Sequence, residues 1–379
     1  MNKRIFVWMI VFALCLTACG PGTPETPTTI SETIGTTPPT TDPPAPTDPT
    51  QPSQPITPPD PEPVITQITM TFTGDCTFGR NQRHTYADSF DQYYDKYGAD
   101  YFLSDVKQIF ENDDITVVNL EGSLTTSTDI QDKKWNHKGR PEYVQILTGA
   151  SVEVAGMGNN HRIDYGISGC EETVQVLNEA GVAWCYDENY LIYEVKGVKV
   201  GFVSVNEVYD ETAIEVWLEE GYEYLRQSGC AIVVALVHWG ETYVIEPAPY
   251  MMDLGHRLID MGYDLVLGNH AHILQGMEMY NGRMIVYSLG NFCYGGNKNP
   301  TDKDSGIFQQ TFTLVDGELV LDADIRFIPC ALSSVSHKND YHPVVLKDQQ
   351  FQRVIEKING YSEQFGFAWN SDGTLNEEE

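Results

Sequence analysis

Residues 65–73 alternate apolar and polar side chains, several of them β-branched, and the pattern breaks at Gly74-Asp75. This predicts a strand feeding a loop. Residues 101–110 carry apolar side chains at helical spacing, and 115–120 form the continuous apolar run expected of a strand covered on both faces. The alternation continues with a strand over 152–157, a helix over 168–180, and strands over 191–195 and 198–205. A helix over 211–227 then leads to 231–237, the most strand-like run in the chain, followed by a helix over 250–261 and strands over 263–267 and 284–288. Residues 308–327 read as a terminal hairpin turning at Asp316-Gly317. Strand and helix in regular alternation predict α/β layers around a central sheet.

Six strand ends carry chemistry. They are Gly74-Asp75, Asn119-Leu120-Glu121-Gly122, Asn159-Asn160-His161, His238-Trp239-Gly240, Gly268-Asn269-His270-Ala271-His272 and Ser288-Leu289-Gly290-Asn291-Phe292. In open α/β sheets, loops beyond the carboxyl ends of the strands converge, so segments distant in sequence can meet there. Taken singly, Asp75 is an ordinary turn residue, Glu121 a paired structural carboxylate and any one histidine a core residue. Taken together they are carboxylate, amide and imidazole donors, a set that suits Mn, Fe or Zn better than Ca or Mg. His270 and His272 are one residue apart, and an extended loop would project both rings to the same side. Nucleophile chemistry lacks support, because neither Ser123 nor Ser288 sits in a Gly-x-Ser-x-Gly elbow and Cys76 has no base identified beside it.

The start of the chain changes the picture of where this chemistry takes place. Lys3 and Arg4 precede an apolar run over 5–16, which ends in Leu16-Thr17-Ala18-Cys19. Residues 1–19 therefore read as a signal peptide. The Leu-x-Ala-Cys ending resembles a bacterial lipobox, which implies acylation of Cys19 and an extracytoplasmic protein lipid-anchored to the bacterial cell membrane. A plain secretory signal is the alternative. Residues 20–64 are mostly Pro and Thr and cannot bury enough apolar surface to offset their entropy, so they read as a disordered tether. Residues 65–330 form the main domain, and 331–379 a partly helical C-terminal extension with an acidic tail.

A formal charge of −31 excludes a phosphate-tracking surface and hence nucleic acid as a partner. An anionic substrate must then be drawn in locally, most simply by bound cations. Eight cysteines include no CxxC pair, which excludes a zinc ribbon or thioredoxin-type site. A Cys170–Cys185 bridge and isolated buried thiols are both open readings.

The ordered motifs GD, NLEG, NNH followed by Asp164-Tyr165-Gly166, HWG, GNHAH and SLGNF resemble the poly-gamma-glutamate capsule-synthesis family of the CapA type, a branch of the calcineurin-like metallophosphoesterases. The resemblance runs from about Ile68 to Ile328. It implies a four-layer metallophosphoesterase-like α/β sandwich with mixed central sheets, holding one or two divalent cations. Carried over, it assigns Asp75 and His272 to a first metal, Asn160, His238 and His270 to a second, and Glu121 to both. It makes His161 the group that serves the leaving oxygen, with Asp164 orienting it, and Arg80 and Asn291 contacts to the substrate. The chain departs from the wider superfamily at Thr77, where histidine is usual, and at Glu121, where aspartate is usual. Two roles are implied. One is a metal-dependent hydrolase acting on a phosphoester or an anionic polymer, and the other a non-catalytic accessory component that assists other capsule-synthesis membrane proteins. A solute-binding lipoprotein would share the signal and tether but gives no reason for the ordered histidines.

Overall fold

The computed structural model describes residues 61–208, 211–321 and 324–376. The expected signal peptide with Cys19, and residues 20–60 of the expected tether, lie outside the described residues. Residues from Pro61 onward form one compact unit.

Alternating burial along the central strands sorts the apolar residues into three layers of packing. Met70, Phe72, Val117 and Val154 from one sheet meet Phe202, Val234, Leu236, Leu267 and Val286 from a second, and this contact is the core between the sheets. Their chain neighbours point outward. Val118, Leu120 and Ala155 pack against Phe90, Ile146, Leu147, Cys170 and Leu177 of the helices Phe90–Tyr97, Val144–Thr148 and Gly166–Ala180. On the far side, Val203, Val205, Val233, Ala235 and Val237 pack against Leu218, Leu225, Leu254 and Leu258 of the helices Glu211–Gln227 and Pro249–Met261. Helix, sheet, sheet and helix give the four-layer α/β sandwich that the sequence resemblance implied.

Both sheets are mixed. In the first, Ile65–Thr77, Ile115–Leu120, Val154–Gly156 and Ala183–Cys185 run parallel, while Asp304–Val315 and Ile325–Ala331 add antiparallel strands. In the second, Val198–Asn206, Ile232–His238, Leu265–Asn269 and Arg283–Val286 are parallel, flanked by antiparallel Leu191–Val195 and Met277–Tyr280. The terminal hairpin turns at Asp316 and Gly317 with φ of 52° and 86°, the left-handed pair of a two-residue hairpin turn. The helix Asp348–Ser362 buries Val354, Ile355 and Ile358, together with Trp369, against the core between the sheets.

Two local expectations are corrected, and one open reading is decided. The first strand does not stop at Gly74-Asp75 but continues to Thr77, because Asp75 pairs with Asn119 on one side and Asn291 on the other. Two neighbours supply the backbone bonds that a glycine would otherwise weaken. Gly74 is required there for closeness: a Cβ would lie 1.9 Å from the carbonyl oxygen of Gly290. The single helix expected over 101–110 is a 3-10 turn, Ala99–Tyr101, and a short helix, Lys107–Phe110. Cys170 and Cys185 are free buried thiols, as are the other described cysteines. Among the described residues no helix is long and apolar enough to cross a membrane.

Candidate metal centre

The parallel strands of both sheets deliver their carboxyl ends to one place. Asp75 lies near the end of Ile65–Thr77, Glu121 directly follows Ile115–Leu120, His238 closes Ile232–His238, and His270 and His272 follow Leu265–Asn269. Asn160 and His161 lie in the loop after Val154–Gly156.

At the centre is one carboxylate. Glu121 is fully buried, and its Oε1 has no hydrogen-bond partner. Around that oxygen stand three imidazole nitrogens, Nε2 of His238 at 3.7 Å, Nε2 of His272 at 3.8 Å and Nε2 of His161 at 3.9 Å. These separations are too long for hydrogen bonds. They match the roughly 3–4 Å between two donors that each lie about 2.1 Å from a shared cation. The donors fall into two groups that share Glu121, namely Asp75, Glu121 and His272, and Glu121, His238 and His270, with donor atoms within 4.8 Å of one another in each. Asn160 Oδ1 is likewise buried without a partner, which suits an amide donor beside the second group. An unpaired buried acceptor costs about 1–3 kcal/mol, more when charged, so this arrangement fits a site built for cations.

Ionisation points the same way. Burial pushes the Glu121 carboxyl up to about 8, and Asp75 adds to this against the pull of His272 and Thr77. Burial would lower His272, but Glu121 and Asp75 overcome it and raise the imidazole to about 9. Burial and the neighbouring His270 hold His238 well below the ordinary histidine range, which leaves it neutral, the form that ligates.

Second contacts fix these donors. Asp75 Oδ2 bonds His272 Nδ1 at 2.9 Å, and its Oδ1 accepts from the Asn119 amide at 2.7 Å. His270 Nδ1 lies 3.0 Å from His238 Nε2. The Asn159 amide donates to Asn119 Oδ1 and to the Leu120 carbonyl, which braces the loop that carries Asn160. The paired histidines are not on an extended loop: His270 and His272 have φ of 95° and 59°. Such left-handed backbone is uncommon for histidine and clusters at functional sites. The left-handed turns, rather than strand-like alternation, bring the two ring centroids to 5.9 Å.

His161 faces the centre with Nε2 and bonds Asp164 Oδ2 through Nδ1 at 2.7 Å. A carboxylate accepts only, so Nδ1 carries the proton and Nε2 is left as the free lone pair in the neutral ring. Asp164 is fully buried; burial raises its carboxyl to about 6 against the opposing pull of Lys133, which forms an ion pair with its Oδ1. Lys133 also donates to the Asn160 carbonyl at 2.6 Å, tying the orienting carboxylate to the backbone of a candidate ligand. A cavity of about 290 Å³ opens above these groups, lined by His137, Asn160, His161, His270 and His272 and rimmed by Trp135, Tyr243 and Tyr294.

Two sequence assignments are not brought to this cavity. Arg80 bonds Asp91 at 2.7 Å and the carbonyls of Gln82 and His84, so its guanidinium is committed to a loop. Asn291 is 1 % exposed and donates to the His272 carbonyl at 2.9 Å, so it holds the histidine turn in place. Thr77 has a role that its position alone did not reveal. Its hydroxyl donates to Glu121 Oε2 at 2.9 Å and fixes the carboxylate whose other oxygen is unpaired. Asn119 was visible in the NLEG motif, but its grip on Asp75 was not. Lys133 and His137 carried no signal, since they lie in a polar stretch that reaches the site only through tertiary folding.

Residues 69–295, more than half of the chain, match the protein family described as "Bacterial capsule synthesis protein PGA_cap". The capsule biosynthesis protein CapA of Bacillus anthracis is 28% identical over 317 residues, covering 74% of this chain and 74% of that protein. The PGA biosynthesis protein CapA of Bacillus subtilis (strain 168) is 27% identical over 265 residues, covering 64% of this chain and 67% of that protein. A solved structure of a hypothetical protein from Thermus thermophilus is similar at 16% identity and a TM-score of 0.43, covering 69% of this chain and 98% of that one. On this match over more than half of its length, the chain belongs to the bacterial capsule synthesis protein family PGA_cap.

Proposed function

We propose that this chain serves poly-gamma-glutamate capsule synthesis as a metal-dependent hydrolase of the metallophosphoesterase type, held at the outer face of the bacterial membrane by acylated Cys19. The observation that carries the catalytic part is the orphaned Glu121 oxygen ringed by imidazole nitrogens. Asp75, Glu121 and His272 would hold one cation, and Glu121, Asn160, His238 and His270 a second. The donor chemistry suits Mn, Fe or Zn. Bound there, such ions supply Lewis acidity and a water acidified to act near neutral pH. The remaining work belongs to the chain. His161, oriented by Asp164, would take up a proton at the Nε2 lone pair and pass it to the oxygen that leaves. Lys133 holds Asp164 in position, and the aromatic rim of Trp135, Tyr243 and Tyr294 narrows the approach to the centre.

The substrate in this reading is an anionic polymer or a phosphoester. The lipobox and the Pro/Thr-rich tether support anchoring to the membrane, and the relatives' names support a place beside other capsule-synthesis membrane proteins. A second reading, a non-catalytic accessory that only binds metal or an anionic ligand, draws on Thr77, whose hydroxyl is spent on Glu121 and leaves the first group three donors. Complementation separates the two. In the native cell with its own copy deleted, the unaltered chain is expected to restore surface poly-gamma-glutamate, whereas His161→Ala is not. Full restoration by His161→Ala would favour the accessory reading, and no loss of polymer on deletion would contradict both.

A further inference from the structure

One imidazole in the cleft has no assigned role. His137 lines the same cavity as His161, His270 and His272, is 3% exposed, and has a buried Nδ1 with no hydrogen-bond partner. The fold places this ring firmly. His137 opens the short strand His137–Gly139, which pairs with Arg80–Asn81 on one side and Ser123–Leu124 on the other. Its backbone N–H donates to Asp164 Oδ2 at 2.5 Å, the same oxygen that receives His161 Nδ1. The His137 and His161 rings lie 4.2 Å apart, inclined at 50°. On the opposite wall a Cβ at Gly296 would come within 2.9 Å of His137 Cε1, so a residue without a side chain leaves room for the ring.

Packing alone does not explain an imidazole here. A buried polar atom without a partner is destabilising, a cost that a phenylalanine of similar shape would avoid. A group retained against stability at the wall of a reactive cleft is the pattern of a functional residue.

We propose that His137 is a substrate-contacting residue: its imidazole hydrogen-bonds a phosphoryl or acyl oxygen of the substrate, adjacent to the atom that His161 serves, and so selects which groups the cleft accepts. The inference rests on the hydrolase reading above and names a recognition element for that same site. His137 thereby differs from Lys133 and Asp164, which position other groups of the site.

The test uses the full chain loaded with Mn(II) and inorganic phosphate as the probe, with phosphate affinity from calorimetry and metal content measured on the same samples. His137→Phe keeps an aromatic ring beside His161 and removes both nitrogens. It is expected to weaken phosphate binding about 10–100-fold, the range for losing a hydrogen bond to a charged group, while metal content holds and the melting temperature rises. His137→Gln, which retains an N–H donor, is expected to recover most of the affinity. His137→Leu serves as a second variant without nitrogens should the phenylalanine disturb folding. Unchanged phosphate affinity in a folded Phe or Leu variant, or loss of metal from it, would overturn the inference alone. Failure of the unaltered, metal-loaded chain to bind phosphate would overturn the inference together with the hydrolase reading.

Discussion

Glu121→Ala is expected to empty both metal positions at once. Each donor group contains Glu121, and no other residue belongs to both. Removing it leaves Asp75 and His272 on one side and His238, His270 and the Asn160 amide on the other, each position stripped of the carboxylate that both share. Thr77 would also lose its acceptor, so the strand end around Asp75 loses a brace in the same step. His238→Ala provides the contrast: it removes one donor from the second group and leaves the first intact. Elemental analysis after equilibration with Mn(II) is therefore expected to show near-complete loss in Glu121→Ala and partial loss in His238→Ala. Equal retention of metal by Glu121→Ala and the unaltered chain would show that the orphaned oxygen is not a ligand. Thr77→Val gives a milder version, because it frees Glu121 Oε2 without removing the carboxylate.

His161→Ala is expected to lower turnover of a chromogenic phosphodiester about 10²–10⁴-fold, the usual worth of a positioned acid or base, while metal content stays unchanged. The distinction depends on geometry. His161 Nε2 stands 3.9 Å from Glu121 Oε1, but His161 belongs to neither donor group, and its Nδ1 is committed to Asp164. Asp164→Asn is expected to cost less, because an amide still holds the ring, though it loses the carboxylate that fixes Nδ1 as the protonated nitrogen. Lys133→Met should resemble Asp164→Asn, and Lys133→Arg should recover part of the loss. If His161→Ala lost metal in proportion to activity, His161 would be a ligand, and the division of labour drawn here would fail.

Much of the frame was legible because the strands that carry it are buried on both faces. Residues 231–237 read as a strand from composition alone, since each is apolar, and the structure places it at Ile232–His238 with both sides covered. The donor residues were legible for a related reason: each lies at or beyond the carboxyl end of a parallel strand, where functional loops gather. What stayed hidden depended on partners distant in sequence. Asp75 remains in a strand because Asn119 and Asn291 flank it, a fact absent from residues 65–77 themselves. The resemblance implied Arg80 as a substrate contact, yet Asp91 holds it, and nothing in the local pattern distinguishes the two fates. His137 and Lys133 come from a polar segment without periodicity, and they became visible only when that segment was seen wrapped around Asp164. The left-handed turns at His270 and His272 were hidden by their residue type, since histidine gives no hint of positive φ.

Two cations sharing the Glu121 carboxylate are the core of the proposed site. Electron paramagnetic resonance of the chain loaded to saturation with Mn(II) tests this most directly, because ions joined through one carboxylate couple magnetically and isolated ions do not. A spin-coupled spectrum is expected, giving way to the pattern of an isolated ion in His238→Ala. An uncoupled spectrum at saturation in the unaltered chain, or no bound Mn(II) at all, would contradict the shared site.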